Sequence, residues 1–305
     1  MKRRKIYQGK NHHIYQKTCD NGLLFYSTID FLVYFTIFCT VAERMDLVVL
    51  ALCPMVDHIH HVIRVEHAKI LARFEQQHTH LYALEWNRAR KTKGPVFRHC
   101  YGAAAKLGDK QVRAVLAYNY NNPVERKLVS RAEDYRWNFL AYAKSNHPFS
   151  SPIDKMHCGK RMRAILREVR SCRQLGHYLN YAQLDRWFKA LTAEERQQLT
   201  DHIISLWNVV DYEEAAAFFP SFDAMVRAFH DNTGSEYDIK EERNDWSDTV
   251  YQDCTRVLIA EKIISSTYEI PCLDLQRKLQ CQQLLLQRTS ARPHQICKYL
   301  HLPIS

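Results

Sequence analysis

The chain has 305 residues, 46% apolar and 25% charged, with only eight glycines and nine prolines. This composition excludes disordered and fibrous classes, and the scarcity of turn residues disfavours a turn-dense β-sandwich. The net charge of +10 is uneven: residues 1–150 carry 23 Lys and Arg against 12 Asp and Glu (+11), and residues 151–305 carry 20 against 21 (−1). The first half therefore suggests a polyanionic partner, nucleic acid ahead of an anionic membrane surface, with a basic but inert surface as the alternative.

The basic start, Met1-Lys2-Arg3-Arg4-Lys5, is followed by polar residues rather than an apolar segment and is not read as a signal peptide. Residues 12–18 predict a strand, and Asn21-Gly22 a turn. Leu23 to Ala42 approaches the length of a membrane span, but Asp30, Ser27, Thr28, Thr36 and Thr40 interrupt it. The segment is read instead as a buried helix, capped by Asp30 and running to about Arg44, with no membrane partner. Asp46 to Cys53 predicts a buried strand ended by Pro54, His58 to Arg64 another strand, and Val65 to about Arg88 a long helix. Lys91 to Pro95 is a basic loop, and Tyr101 to Lys106 a short strand. A helix capped by Asp109 should run from Lys110 towards Asn122 and stop near Pro123. The pattern predicts an α+β fold: an antiparallel sheet with helices packed on one face.

Ser150-Ser151-Pro152 reads as a boundary, dividing a domain at 1–149 from a helical domain at 150–305. Helices are expected at Cys158–Arg173, from the capping box Thr192-Ala193-Glu194-Glu195 to about Trp207, and at Phe222–His230, Trp246–Ser265 and Leu273–Gln287. A polar loop is expected at 232–245. The last segment, Arg292 to Leu300, makes either a helix-turn-helix-like end or an ordinary helical hairpin, with Ile296 and Leu300 inward. Ten cysteines, none in a C-x-x-C spacing, argue against a zinc finger and suggest reduced thiols in a cytoplasmic protein.

Two constellations could carry chemistry. In Asp57-His58-Ile59-His60-His61, His58 and His60 sit two apart on a strand and share a face, so both imidazoles can ligate one divalent ion; His61 lies on the opposite face. With 16 histidines in the chain, a chance pair without a metal is the alternative. In Tyr118-Asn119-Tyr120-Asn121-Asn122-Pro123, Tyr118 and Asn122 are four apart on a helix and share a face, offering a phenol and an amide oxygen to one centre. The alternative is a tyrosine packed on the sheet beside a helix-ending Asn-Pro.

The order of these elements resembles the single-tyrosine HUH transposases, in particular the REP-associated tyrosine transposases, over about residues 8–145. The resemblance rests on His58-Ile59-His60, on the strand and Met55 before it, on Asn122-Pro123-Val124, and on Glu133-Asp134-Tyr135-Arg136-Trp137. It implies a ferredoxin-like, RRM-like HUH-nuclease fold, a Mg²⁺ or Mn²⁺ ion on His58, His60 and Asn122, and Tyr118 as nucleophile. The substrate it implies is single-stranded or hairpin DNA, cleaved and rejoined through a 5′-phosphotyrosine link. Lys91, Lys93, Arg98, Arg126 and Lys127 flank the proposed site as candidate DNA contacts. One departure is Val56-Asp57, where the family usually has Pro-Asn before the first histidine. Besides a transposase or a related nicking enzyme, a catalytically reduced regulator that binds hairpin DNA fits the same pattern. The helical half could dimerise, recognise flanking DNA or bind a partner protein.

Overall fold

The computed structural model describes residues 5–154, 156–231 and 247–303; the polar loop expected at 232–245 lies outside them. Four strands, β1 (Lys10–Lys17), β2 (Val49–Pro54), β3 (His58–Val65) and β4 (Gly102–Lys106), form one sheet in the order β2-β3-β1-β4, every neighbouring pair antiparallel. Helix α1 (Thr28–Arg44) joins β1 to β2 and helix α2 (Ala68–Arg90) joins β3 to β4. Each crossover skips one strand, which is the split β-α-β plan of ferredoxin-like folds. The α+β class and the antiparallel sheet are as expected.

Strand alternation decides what each face meets. Ile14, Leu52, Ile59, Ile63 and Val65 share one apolar core with residues of α1 and α2, such as Leu32, Phe35, Phe38, Leu71 and Phe74. The opposite face carries His58, His60 and Val62 and is crossed by α3 (Asp109–Glu125), whose Val112, Val115 and Leu116 pack against Val62. The helices thus divide: the two crossover helices take one face, as predicted, and α3 takes the other.

Three local expectations change. Asp109 does not cap α3 but is its first residue, with Gly108 at the cap position and no side-chain cap. Helix α1 is capped by Ser27, not Asp30; Asp30 sits three residues in and completes a capping box, accepting from the backbone N–H of Ser27 at 2.9 Å. Helix α3 continues through Pro123 to Glu125: Pro123 lacks its own N–H, but the turn beyond it is held by Arg126 N–H to Asn122 O and Leu128 N–H to Pro123 O, both at 3.0 Å.

The helical second half comprises α4 (Lys160–Gln174), α5 (Tyr181–Lys189), α6 (Ala193–Trp207), α7 (Tyr212–Ala216), α8 (Phe222–Asp231), α9 (Val250–Ala260), α10 (Leu275–Arg288) and α11 (Pro293–Leu300). The Thr192 capping box opens α6 as read from sequence. Short α5 and α7 were not foreseen; α5 is opened by an Asn180/Gln183 box rather than a Ser or Thr one. Met162, Ile165, Leu184, Trp187, Leu199 and Ile203 extend the core of α1 past residue 149, so Asp30 to Ala42 are buried without interruption. Among the described residues no helix is long and apolar enough to cross a membrane. All ten cysteines are free thiols. Helices α9–α11 form a separate apolar cluster with Leu23, in which Ile296 and Leu300 point inward. From Gln295 to Leu300, α11 is buried except at half-buried Lys298, which leaves little of it for a DNA groove.

One polar network ties these layers together. Asp30 and Arg90, both fully buried, pair at 2.6 Å. The Tyr181 hydroxyl donates to the same Asp30 oxygen at 2.7 Å, and the Arg90 guanidinium lies 4.3 Å from the Trp86 ring and 5.1 Å from the Tyr268 ring. Helices α1, α2 and α5 and the turn at Thr267–Cys272 therefore meet on one ion pair.

Candidate metal and tyrosine site

Register on the sheet assembles the site. Tyr15 lies opposite His60, and Lys17 opposite His58. The His58 and His60 rings are 4.7 Å apart, nearly perpendicular. The Tyr118 ring reaches across from α3 and meets His60 edge-on at 5.4 Å. Tyr120 turns away: its hydroxyl donates to the Leu50 carbonyl at 3.1 Å, and its ring stacks on Phe229. Asn122 is one turn beyond Tyr118 and buried; its Oδ1 has no hydrogen-bond partner.

A third histidine, not picked out from sequence, completes the group. His13 on β1 stacks on His60 with centroids 5.1 Å apart, places Nε2 at 3.0 Å from His60 Nδ1, and lies 5.6 Å from the Tyr118 ring. Its only sequence signal was the alternation of His13, Tyr15 and Lys17 along a strand. Burial, with Lys106 and His61 nearby, holds the His13 imidazole down at about 3; burial and then His58 and His13 hold His60 well below the ordinary histidine range. Both rings are therefore neutral at physiological pH, the state in which imidazole binds metals.

Asp57, which immediately precedes His58, has a definite place. Its Oδ1 is 2.5 Å from His58 Nδ1, and its Oδ2 accepts from the Lys298 ammonium of α11. A carboxylate on Nδ1 makes that nitrogen the donor and leaves the Nε2 lone pair outward. His58 Nε2 is buried and without a hydrogen-bond partner, as a ligand atom should be. Burial would push the Asp57 carboxyl up, but His58, Lys298 and Arg126 outweigh it and hold it well below the usual range. The two orphaned acceptors, His58 Nε2 and Asn122 Oδ1, fit a metal-binding role for these residues.

The candidate cations separate into two groups. Arg126, at the end of α3, acts electrostatically on Asp57 and Asp248, and exposed Lys127 follows it. Arg98 is exposed but anchored: its backbone N–H donates to Lys17 O at 2.9 Å and its guanidinium to Thr18 O and Asn21 Oδ1. Lys91 is the exposed left-handed residue ending α2. Lys93 lines a cavity of about 210 Å³ with Asp20, Trp86 and His301. Lys17, missed from sequence, lies closer to the chemistry, since its charge helps depress His60.

Asp248, just before α9, is pushed up to about 6 by burial and then by Asp57. The folded chain thus holds this proton more tightly than the unfolded one, whose carboxyl titrates near 3.8. The resulting stability is full below about pH 4 and is lost as pH rises through about 6; above that the buried carboxylate is a standing cost. Asp248→Asn is expected to stabilise the protein at pH 8 by about 1–3 kcal/mol and to flatten this pH dependence. Urea midpoints of both proteins at pH 5 and pH 8 check it, and equal shifts at the two pH values would count against it.

No protein-family model matches the chain, and no curated protein matches it. Among solved structures it is similar to one described as the REP-associated tyrosine transposase bound to a REP hairpin, at 16% identity and a TM-score of 0.37, over 45% of this chain and 80% of that one. A likeness that slight carries nothing about chemistry, which the side chains themselves have to support.

Proposed function

We propose that the protein is a metal-dependent DNA strand transferase, cutting and rejoining single-stranded or hairpin DNA through a covalent 5′-phosphotyrosine link at Tyr118. The observation that carries this reading is the convergence of three buried histidines, His13, His58 and His60, on one sheet face with the Tyr118 ring laid against two of them. Such a set serves phosphoryl transfer, in which positioning and charge stabilisation do most of the work.

His58, His60 and Asn122 would hold the ion; Mg²⁺ or Mn²⁺ bound there supplies charge neutralisation at the scissile phosphate. Tyr118 contributes the nucleophilic oxygen. Its bond to phosphorus forms as the bond from phosphorus to the 3′-side oxygen breaks; the phenol gives up its proton, and the leaving oxygen takes one up as a 3′-hydroxyl. The phosphotyrosine conserves the bond energy, so reversal onto a new 3′-hydroxyl rejoins DNA without ATP. Lys17, Lys106, Lys298 and Arg126 are cations whose fields reach the group, and they favour a phosphate beside it.

A second reading, a hairpin-DNA-binding regulator without catalysis, is favoured by one observation. Tyr118 and Asn122 are 3% exposed, His58 1% and His60 0%, so a phosphate reaches Tyr118 only when the surrounding elements part. Incubation with end-labelled hairpin DNA and Mn²⁺, followed by a denaturing protein gel, separates the two. Label at the mass of the protein, abolished by EDTA, supports strand transfer; tight binding with no label on any hairpin supports the regulator.

Removing the orienting carboxylate should weaken metal use without touching the nucleophile. Asp57→Ala is expected to raise the Mn²⁺ concentration needed for half-maximal adduct by about 10–100-fold, with adduct recovered at saturating metal. An unchanged Mn²⁺ dependence would mean that Asp57 only anchors α11.

A further inference from the structure

The other face of the sheet holds a cluster that the Tyr118 chemistry does not use. His61 on β3 points into the layer between sheet and α2. There it meets Glu75 and His78, which are three apart on α2 and so share a helix face. His61 and His78 are fully buried and Glu75 is 2% exposed. His61 Nε2 lies 2.7 Å from Glu75 Oε1, and His78 Nε2 lies 3.2 Å from Glu75 Oε2. Both imidazoles thus present the same nitrogen to the two oxygens of one carboxylate, and the three ligand atoms lie within 4.8 Å of one another.

We propose that His61, Glu75 and His78 bind one transition-metal ion of the zinc type, which fastens α2 to β3. The argument is geometric and chemical. Ligands of a tetrahedral ion with bonds of about 2.0–2.2 Å stand roughly 3.3 Å apart; here the two imidazole-to-carboxylate spacings are 2.7 and 3.2 Å and no pair exceeds 4.8 Å. Two imidazole nitrogens with a carboxylate select zinc and its neighbours over Mg²⁺ and Ca²⁺, which prefer all-oxygen sets. Three residues supply three donors, which leaves one tetrahedral position for a further ligand enclosed in the same pocket. The surroundings exclude a solvent-exchanging role: the Phe38 ring packs on His61 and His78 at 5.2 and 5.4 Å, and Phe74 on His78 at 4.7 Å. Tyr34 supplies an independent indication. Its fully buried hydroxyl has no hydrogen-bond partner, and its ring lies 5.9 Å from His78. A carboxylate and two imidazoles are expensive to bury among phenylalanines, and an ion that binds only the folded chain returns that cost as stability. This site is independent of the reading of Tyr118.

The test uses the full chain, loaded with Zn²⁺ and then dialysed against metal-free buffer, with zinc per chain read by mass spectrometry. Wild type and a His58→Ala/His60→Ala double variant are expected to retain about one zinc per chain, and Glu75→Gln and His78→Asn to lose it. Chelation should lower the melting temperature of the first two proteins. X-ray absorption of zinc in wild type and in the double variant needs no substitution in the cluster and covers the case in which Glu75→Gln fails to fold. The same nitrogen-and-oxygen shell at about 2.0–2.2 Å in both proteins supports the site. A wild type that retains no zinc, or zinc that disappears with His58 and His60, overturns it.

Discussion

Tyr118→Phe is expected to abolish the covalent protein–DNA adduct, lowering its rate of formation by on the order of 10⁴-fold or more, the scale on which loss of a nucleophile acts. The substitution removes one oxygen and leaves the ring, so the edge contacts to His60 and His13 at 5.4 and 5.6 Å survive and the fold should be unaffected. DNA binding should change little, because the phosphate-facing charge lies on other residues. Tyr120→Phe is the informative control. Its hydroxyl is committed to Leu50 O, so its loss leaves a buried carbonyl unsatisfied and costs about 1–3 kcal/mol of stability, while adduct should form at close to the wild-type rate. The opposite pattern, adduct lost in Tyr120→Phe and kept in Tyr118→Phe, would transfer the chemistry to the wrong side of α3 and sink the proposed arrangement. Denaturing gels with labelled hairpin and melting curves on the same preparations give both readouts.

The largest stability effect is expected at Arg90. Arg90→Leu keeps much of the packing area but strands Asp30, which is fully buried and paired to Arg90 at 2.6 Å. Breaking one side of a buried ion pair costs about 3–5 kcal/mol. Asp30 keeps hydrogen bonds from the Ser27 and Tyr26 backbone N–H groups and from Tyr181, which places the expected loss at the lower end of that range. Adding Asp30→Asn to Arg90→Leu should recover part of the loss, since the stranded charge is then gone. Urea denaturation checks both; a single-variant loss under about 1 kcal/mol would mean that the pair is replaceable by water or by local shifts.

These two sites differ in how far sequence could reveal them. Local periodicity located the strand at 58–64, the long helix after it and the helix bearing Tyr118, because each element's apolar spacing is set by its own backbone geometry. His58 and His60 could be placed on one face by strand alternation alone. His13 could not be joined to them, because the contact arises from the pairing of β1 with β3, and register between strands far apart in sequence leaves no local trace. The Lys298–Asp57 contact spans still more chain, and nothing near Asp57 announces it. His61 was read correctly as lying opposite His58 and His60, but its partners Glu75 and His78 look like ordinary helix residues until α2 is laid on the sheet. Asp30 was recognised as a helix-start residue, and its buried partner on α2 was not, for the same reason. Pro123 was given too much weight as a terminator: the turn beyond it is held by backbone bonds to Asn122 O and Pro123 O.

The uninterrupted burial of α1 from Asp30 to Ala42 has a consequence for how the chain is made. One side of this helix packs on α2, which follows soon after it, but the other side is covered by α5 and α6, and α6 ends only at Trp207. At ribosomal rates of about 5–20 residues per second, α1 waits roughly 10–30 seconds for its second set of partners. During that interval the face of α1 that carries Thr36, whose hydroxyl later accepts from the Leu179 backbone N–H, stands on a nascent chain without its covering helices, so this helix is where a chaperone would first be needed and where slowed synthesis would first produce aggregation.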